Sequence, residues 1–132
     1  MPGAGRFPEC GVSGNRSERQ TLTKVHPCKS EKDLTKILES ESALLFKHST
    51  ACGSSARAYD EMKLFAHRPL AIPVHMIRVI EERALSKRAA EVLGVEHESP
   101  QLIRVKNGRA LWSLSHSDIT VESVLERLAH ES

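Results

Sequence analysis

The run "ALLFKH", residues 43–48, constrains the fold most tightly. Its length suits a strand, and its near-continuous apolar character suits one covered on both faces, as in a parallel sheet between two layers of helix. The segments around it alternate in the way such a sheet requires. "LTKVH" (22–26) reads as a short first strand. Ser30 opens "SEKDLTKILES", where Ser30 and Asp33 have capping-box spacing and Leu34, Ile37 and Leu38 share a helix face. From about Ser54, Ala58, Met62 and Phe65 form an apolar stripe at i, i+4, i+7, predicting a second helix. "VHMIRVIE" (74–81) is β-branched and predicts a third strand. Ser86 is the expected cap of a third helix, with Leu85, Ala89, Val92 and Leu93 on one side and Gly94 as its stop.

"QLIRVK" and "RALWSLS" flank Asn107-Gly108, a strong hairpin signal. Thr120 then opens "TVESVLERLAH", with Val121, Val124, Leu125 and Leu128 on one face. The order β-α-β-α-β-α-β-β-α predicts an α/β three-layer sandwich: a mixed sheet of about five strands flanked by about four helices. Residues 1–20 are rich in Gly, Pro, Ser and Arg without periodicity and read as a disordered extension; residues 21–132 are the expected domain.

Composition narrows the function. With 132 residues, 39% hydrophobic and 27% charged, the chain fits one soluble domain with a real core. A net charge of +2, five aromatic residues and no basic cluster give no footprint for nucleic acid. No apolar run reaches membrane-spanning length, so no membrane partner is expected. The first twenty residues lack the apolar stretch of a secretory signal, which makes the cytoplasm the default compartment. Three widely spaced cysteines, Cys10, Cys28 and Cys52, suit neither a disulfide framework nor a paired zinc pattern. No metal or bound cofactor is expected. On composition alone, Cys52 is a small residue in a strand-to-helix turn and Cys10 a solvated thiol.

Three ordered motifs reverse that weighting for Cys52. "LGVEHESPQLIRVKNGRALW" resembles the second half of thioredoxin, and "FKHSTAC" with Ser55, "VIEERALSKRAAEVLGVEHESPQ" and "SHSDIT" together resemble the YtxJ-like monothiol bacilliredoxins. The resemblance covers roughly residues 21–130 and implies a thioredoxin-like fold. It also implies thiol–disulfide exchange with bacillithiol as co-substrate, and bacillithiolated proteins and a low-molecular-weight thiol as partners. Two positions depart from the family pattern: Gly53 stands where a proline commonly follows the cysteine, and Ser117 where a tryptophan is usual.

The resemblance makes Cys52 the nucleophile. A thiolate attacks disulfides, and a helix N-terminus favours the anion over a thiol of ordinary pKa near ~8.5. Gly53, Ser54 and Ser55 would supply N–H and hydroxyl groups to the sulfur, and His48, Lys47 and Arg57 positive charge. Thr50, Arg57, Ser99 and Pro100 are the expected thiol- and peptide-binding residues, with the Ser99–Pro100 bond cis and the Ser99 backbone meeting ligand. Lys47, Arg57 and Arg83 are the candidate cations for the carboxylates of bacillithiol.

Ser55 has a distinct consequence. A Cys-x-x-Cys site resolves its own mixed disulfide, whereas Cys-x-x-Ser must wait for an outside thiol. Cys28 is not expected to substitute. In a thioredoxin-like sheet its strand lies two spacings, roughly 10 Å, from that of Cys52, beyond the disulfide limit of about 7 Å between Cα atoms. A monomer is the default state. Three other readings compete: a glutaredoxin-like iron–sulfur or glutathione protein, since "CGSS" resembles Cys-Gly-Phe-Ser, although the Gly-Gly-x-Asp segment is missing; a non-catalytic thioredoxin-like docking module; and, weakly, a Ser-His-Asp hydrolase without a Gly-x-Ser-x-Gly elbow.

Overall fold

A computed structural model describes residues 24–51, 53–69 and 71–131. The expected extension over 1–20, with Cys10, and the position of Cys52 lie outside the described residues. Five strands, β1 (Val25–Pro27), β2 (Ser42–His48), β3 (Val74–Arg78), β4 (Gln101–Lys106) and β5 (Arg109–Ser115), form one sheet in the order β1-β3-β2-β4-β5. The first three strands are parallel; β4 runs antiparallel to β2, and β5 to β4. Four helices connect them: α1 (Glu31–Glu39), α2 (Gly53–Ala66), α3 (Arg83–Leu93) and α4 (Val121–Ala129).

The side-chain alternation of β2 sorts the helices into two layers. Leu44 and Phe46 pack with Met62 and Phe65 of α2 and Val124 of α4. Ala43 and Leu45 face the other way, onto Leu34 and Ile37 of α1 and Leu85 and Ala89 of α3. Residues 43–47 are all fully buried, as a central strand between two helical layers must be. Burying apolar surface contributes roughly 25 cal/mol per Å², so Ala43–Phe46, covered on both faces, stabilise the fold from the centre of the sheet.

Local signals end each element. The Ser30 hydroxyl accepts from the Asp33 N–H at 3.1 Å, and the Asp33 carboxylate accepts from the Lys29 N–H at 3.0 Å. The Thr120 hydroxyl caps α4 by accepting from the Ser123 N–H at 3.0 Å. Asn107 and Gly108 turn the β4–β5 hairpin with φ of 52° and 80°, the paired positive values of a type I′ turn. A Cβ on Gly108 would also lie 3.3 Å from the Leu38 carbonyl oxygen.

Several sequence boundaries shift. Strand β1 covers Val25–Pro27, with residues 22 and 23 of the expected 22–26 outside the described residues, and β3 ends at Arg78, where the Glu82 N–H turns back to the Arg78 carbonyl at 2.7 Å. Ser86 does not cap α3: its N–H already bonds the Glu82 carbonyl, so it lies inside a helix that begins at Arg83. Val92, expected on the core face, is exposed, while Leu85, Ala89 and Leu93 of the same expected stripe pack there.

Candidate functional site

The apolar β2 run ends at the carboxyl edge of the sheet, and the chain must turn through Ser49–Ala51 before α2 begins at Gly53. That turn is closed from inside. The Ser55 hydroxyl accepts from the Ser49 N–H at 2.8 Å and lies 2.8 Å from His48 Nδ1. Ser55 is fully buried, so its oxygen organises the loop on the protein side. The Ser49 hydroxyl accepts from the Ala51 N–H at 3.3 Å. His48 packs in a three-ring cluster with Phe46 and Tyr59, its ring centroid 5.7 and 5.0 Å from theirs. Burial, reinforced by Arg78, lowers the His48 pKa. The imidazole is therefore neutral at pH 7 and acts here through hydrogen bonding rather than charge.

Thr50 is exposed in the turn, as are Gly53, Ser54 and Arg57 on the first turn of α2. That turn carries no acidic residue to neutralise the positive end of the helix dipole. Gly53, Ser54 and Arg57 line a cavity of about 310 Å³ whose opposite wall is His116, Ser117, Ile119 and Thr120. Glu61 fixes this wall by accepting from the Val121 N–H at 2.8 Å.

The Ser99–Pro100 bond is cis, and the Pro100 carbonyl accepts from the His116 N–H at 3.0 Å. The proline loop is thereby joined to the cavity wall. His116 Nε2 also lies 2.9 Å from the Glu98 carboxylate. Pro100 is buried and Ser99 half-buried, with the Ser99 hydroxyl unpaired. Of the three candidate cations, Arg57 alone shares this cavity with Gly53 and Ser54. Lys47 points into the opposite layer, and Arg83 lines a separate cavity with Lys87 and His97.

Cys28 lies at the end of β1, next to β3, with its N–H on the Met76 carbonyl at 2.8 Å. The sheet order therefore puts β3 between its strand and β2, as expected. Burial, then Asp33 and Glu82, push its thiol up to about 11, so it is protonated at neutral pH. Among the described residues no cluster of three or more His, Cys, Asp and Glu could hold a metal ion, and no helix is long and apolar enough to cross a membrane.

A family model for the monothiol bacilliredoxin BrxC matches residues 26–124, three quarters of the chain. This chain belongs to the monothiol bacilliredoxin family. A bacilliredoxin is a thiol–disulfide oxidoreductase, and the fold agrees. A solved structure described as having a thioredoxin fold matches with 30% identity, covering 85% of this chain and 97% of its own, at a TM-score of 0.73. Thioredoxins from Malassezia sympodialis (13% identity, 80% and 86% covered, TM-score 0.64) and Trypanosoma brucei brucei (10%, 82% and 94%, 0.67) share the fold. In this bacilliredoxin, the sequence motifs led to Gly53, Ser54, Ser55, Arg57 and the cis proline. They did not lead to Ser49, held within the turn by Ser55, nor to Tyr59 and Glu61, whose roles arise from contacts with other elements. Thr120 was legible only as a helix cap.

Proposed function

We propose that this bacilliredoxin removes bacillithiol from mixed disulfides on proteins, with Cys52 as the nucleophile. The Cys52 thiolate attacks the bacillithiol sulfur of the mixed disulfide. The client leaves as its thiolate, and a bacillithiol–Cys52 disulfide remains. A second low-molecular-weight thiol, as thiolate, then attacks the bacillithiol sulfur and frees Cys52. Electrons balance in each step, because one S–S bond forms as one breaks.

The observation that carries the monothiol cycle is the buried Ser55. At the position where a dithiol site has its resolving sulfur, the chain holds a hydroxyl committed to the Ser49 N–H and His48. Gly53 and Ser54 start the helix beside Cys52, and its N-terminal dipole favours a thiolate there. Arg57 supplies a cation for carboxylates of the thiol in the 310 Å³ cavity. Thr50, Ser99 and Pro100 complete the binding edge, and His48 supports the turn from below. The working unit is the thioredoxin-like domain of residues 21–132, acting as a monomer in the cytoplasm, where thiols are kept reduced.

The test is intact-mass spectrometry of reduced protein mixed with a bacillithiolated client or, separately, a glutathionylated one, alongside Cys52→Ala. Bacillithiol transfer to the protein with client release, and a silent variant, is the expected result. Preferential glutathione transfer would reassign the co-substrate. No adduct from either would leave a docking module.

A further inference from the structure

Lys47 is fully buried in the middle of the sheet. It points from β2 into the layer of Leu45, Ile77 and Ile103, and among the described residues no carboxylate pairs with it. A buried ammonium without a carboxylate is costly. Its partner is His97, whose Nδ1 lies 3.3 Å from Nζ. Lysine has only donors, so Nδ1 must accept, and the neutral ring carries its proton on Nε2. The Ser86 hydroxyl, 3.4 Å from the same Nδ1, flanks that contact from α3. Gln101, directly opposite Lys47 across β2 and β4, donates its side-chain amide to the Glu96 carbonyl at 2.9 Å.

Two adjacent buried side chains thus grip Glu96 and His97, the residues that feed the chain into Glu98, Ser99 and Pro100. From the other side the loop is held by His116, through Glu98 and the Pro100 carbonyl. Lys47 also lies five residues before Cys52 on the strand that delivers it. The same rigid strand therefore governs both edges of the candidate site.

We infer that Lys47 and His97 are a positioning pair that holds the loop before Pro100 against β2 in the geometry that binds the mixed disulfide. The inference rests on the proposed roles of Cys52 and Pro100. His97 is itself exposed; partial desolvation, reinforced by the Lys47 charge, lowers its pKa, while Glu98 opposes that shift. Arg83 and Lys87 line the cavity beside His97 and add to the cationic surroundings. Protonating His97 in acid removes the acceptor and sets two cations face to face, so the loop is released as pH falls below the ordinary histidine range.

The experiment measures bacillithiol transfer from a modified client between pH 5.5 and 9 for the wild type, Lys47→Met, His97→Gln and His97→Phe. The Cys52 thiolate fraction is followed separately by its ultraviolet absorbance. Lys47→Met and His97→Phe should raise KM about tenfold, the loss of a hydrogen bond to a charged group, with the Cys52 titration unmoved. His97→Gln keeps an acceptor that does not protonate, so it should restore KM at pH 7 and abolish the acid limb left after correction for thiolate. Hydrogen exchange at Glu98, Ser99 and Gln101 gives a readout independent of activity and should quicken in Lys47→Met and His97→Phe only. Unchanged KM and exchange in Lys47→Met, or no rescue by glutamine, would overturn the pair. If the wild type transfers no thiol while exchange follows this pattern, the functional reading fails and the structural role of the pair stands.

Discussion

The Ser55 hydroxyl lies 2.8 Å from His48 Nδ1 and holds the Ser49 N–H at the same distance, so one buried oxygen ties the end of β2 to the first turn of α2. A monothiol site thereby turns the position of a resolving thiol into a structural clamp for the turn that carries Cys52.

Ser55→Ala leaves the Ser49 N–H without its acceptor and His48 without its partner. An unpaired buried group costs about 1–3 kcal/mol, and urea unfolding should show that loss. A change within experimental error would mean the turn is held by other contacts.

Lys47 is stabilising for geometry and destabilising for the fold. Burial lowers its pKa from 10.5 to about 8. Between those values the unfolded chain binds more protons than the native one, so stability rises with pH across that window and the penalty is complete below it. Lys47→Met should flatten this rise and gain about 2–3 kcal/mol at pH 7. Thermal melts at pH 7 and pH 10 measure both; an unchanged pH slope would remove Lys47 as its source.

His75 sets the acid limit. Burial, then the neighbouring His26 ring at 5.4 Å, lower its pKa from 6.5 to about 4. The native state therefore binds fewer protons between these values, and stability falls as pH drops from 6.5 to 4. His75→Phe should remove roughly 2–3 kcal/mol of that loss. Denaturant midpoints at pH 7 and 4.5 that converge in the variant, but not in the wild type, are the expected outcome.

A largely buried ion pair ties Glu131, just after α4, to β4. Arg104, almost fully buried on β4, makes a two-point contact with the Glu131 carboxylate at 2.8 and 3.1 Å, and Trp112 donates its indole N–H to that carboxylate at 2.7 Å. Glu131→Ala strands the Arg104 guanidinium and should cost about 3 kcal/mol, as breaking buried pairs does. A loss no larger than that of a surface substitution would show that the Ser42 and backbone contacts of Arg104 suffice.

The sequence determined what depends on near neighbours in the chain. Alternating apolar runs specified the strands and helices, Asn107-Gly108 the hairpin, and Ser30 and Thr120 the caps, because each signal acts within a few residues. The Cys52-to-Ser55 spacing and the motif around Pro100 were legible for the same reason, and so was the family. Helix starts were less secure: Ser86 resembles a cap in sequence, but the turn after β3 had already begun the helix.

Tertiary structure decided which face each polar residue meets. Lys47 and His48 are adjacent in sequence, and strand alternation sends one beneath His97 and the other beside Ser55. Arg57 lines one cavity with His116, Ser117, Ile119 and Thr120, while Arg83 and Lys47 do not, because the sheet stands between the two helical layers. Contacts such as Lys47 to His97, fifty residues apart, leave no local trace in the sequence, since only the register of β2 against β4 brings their partners together.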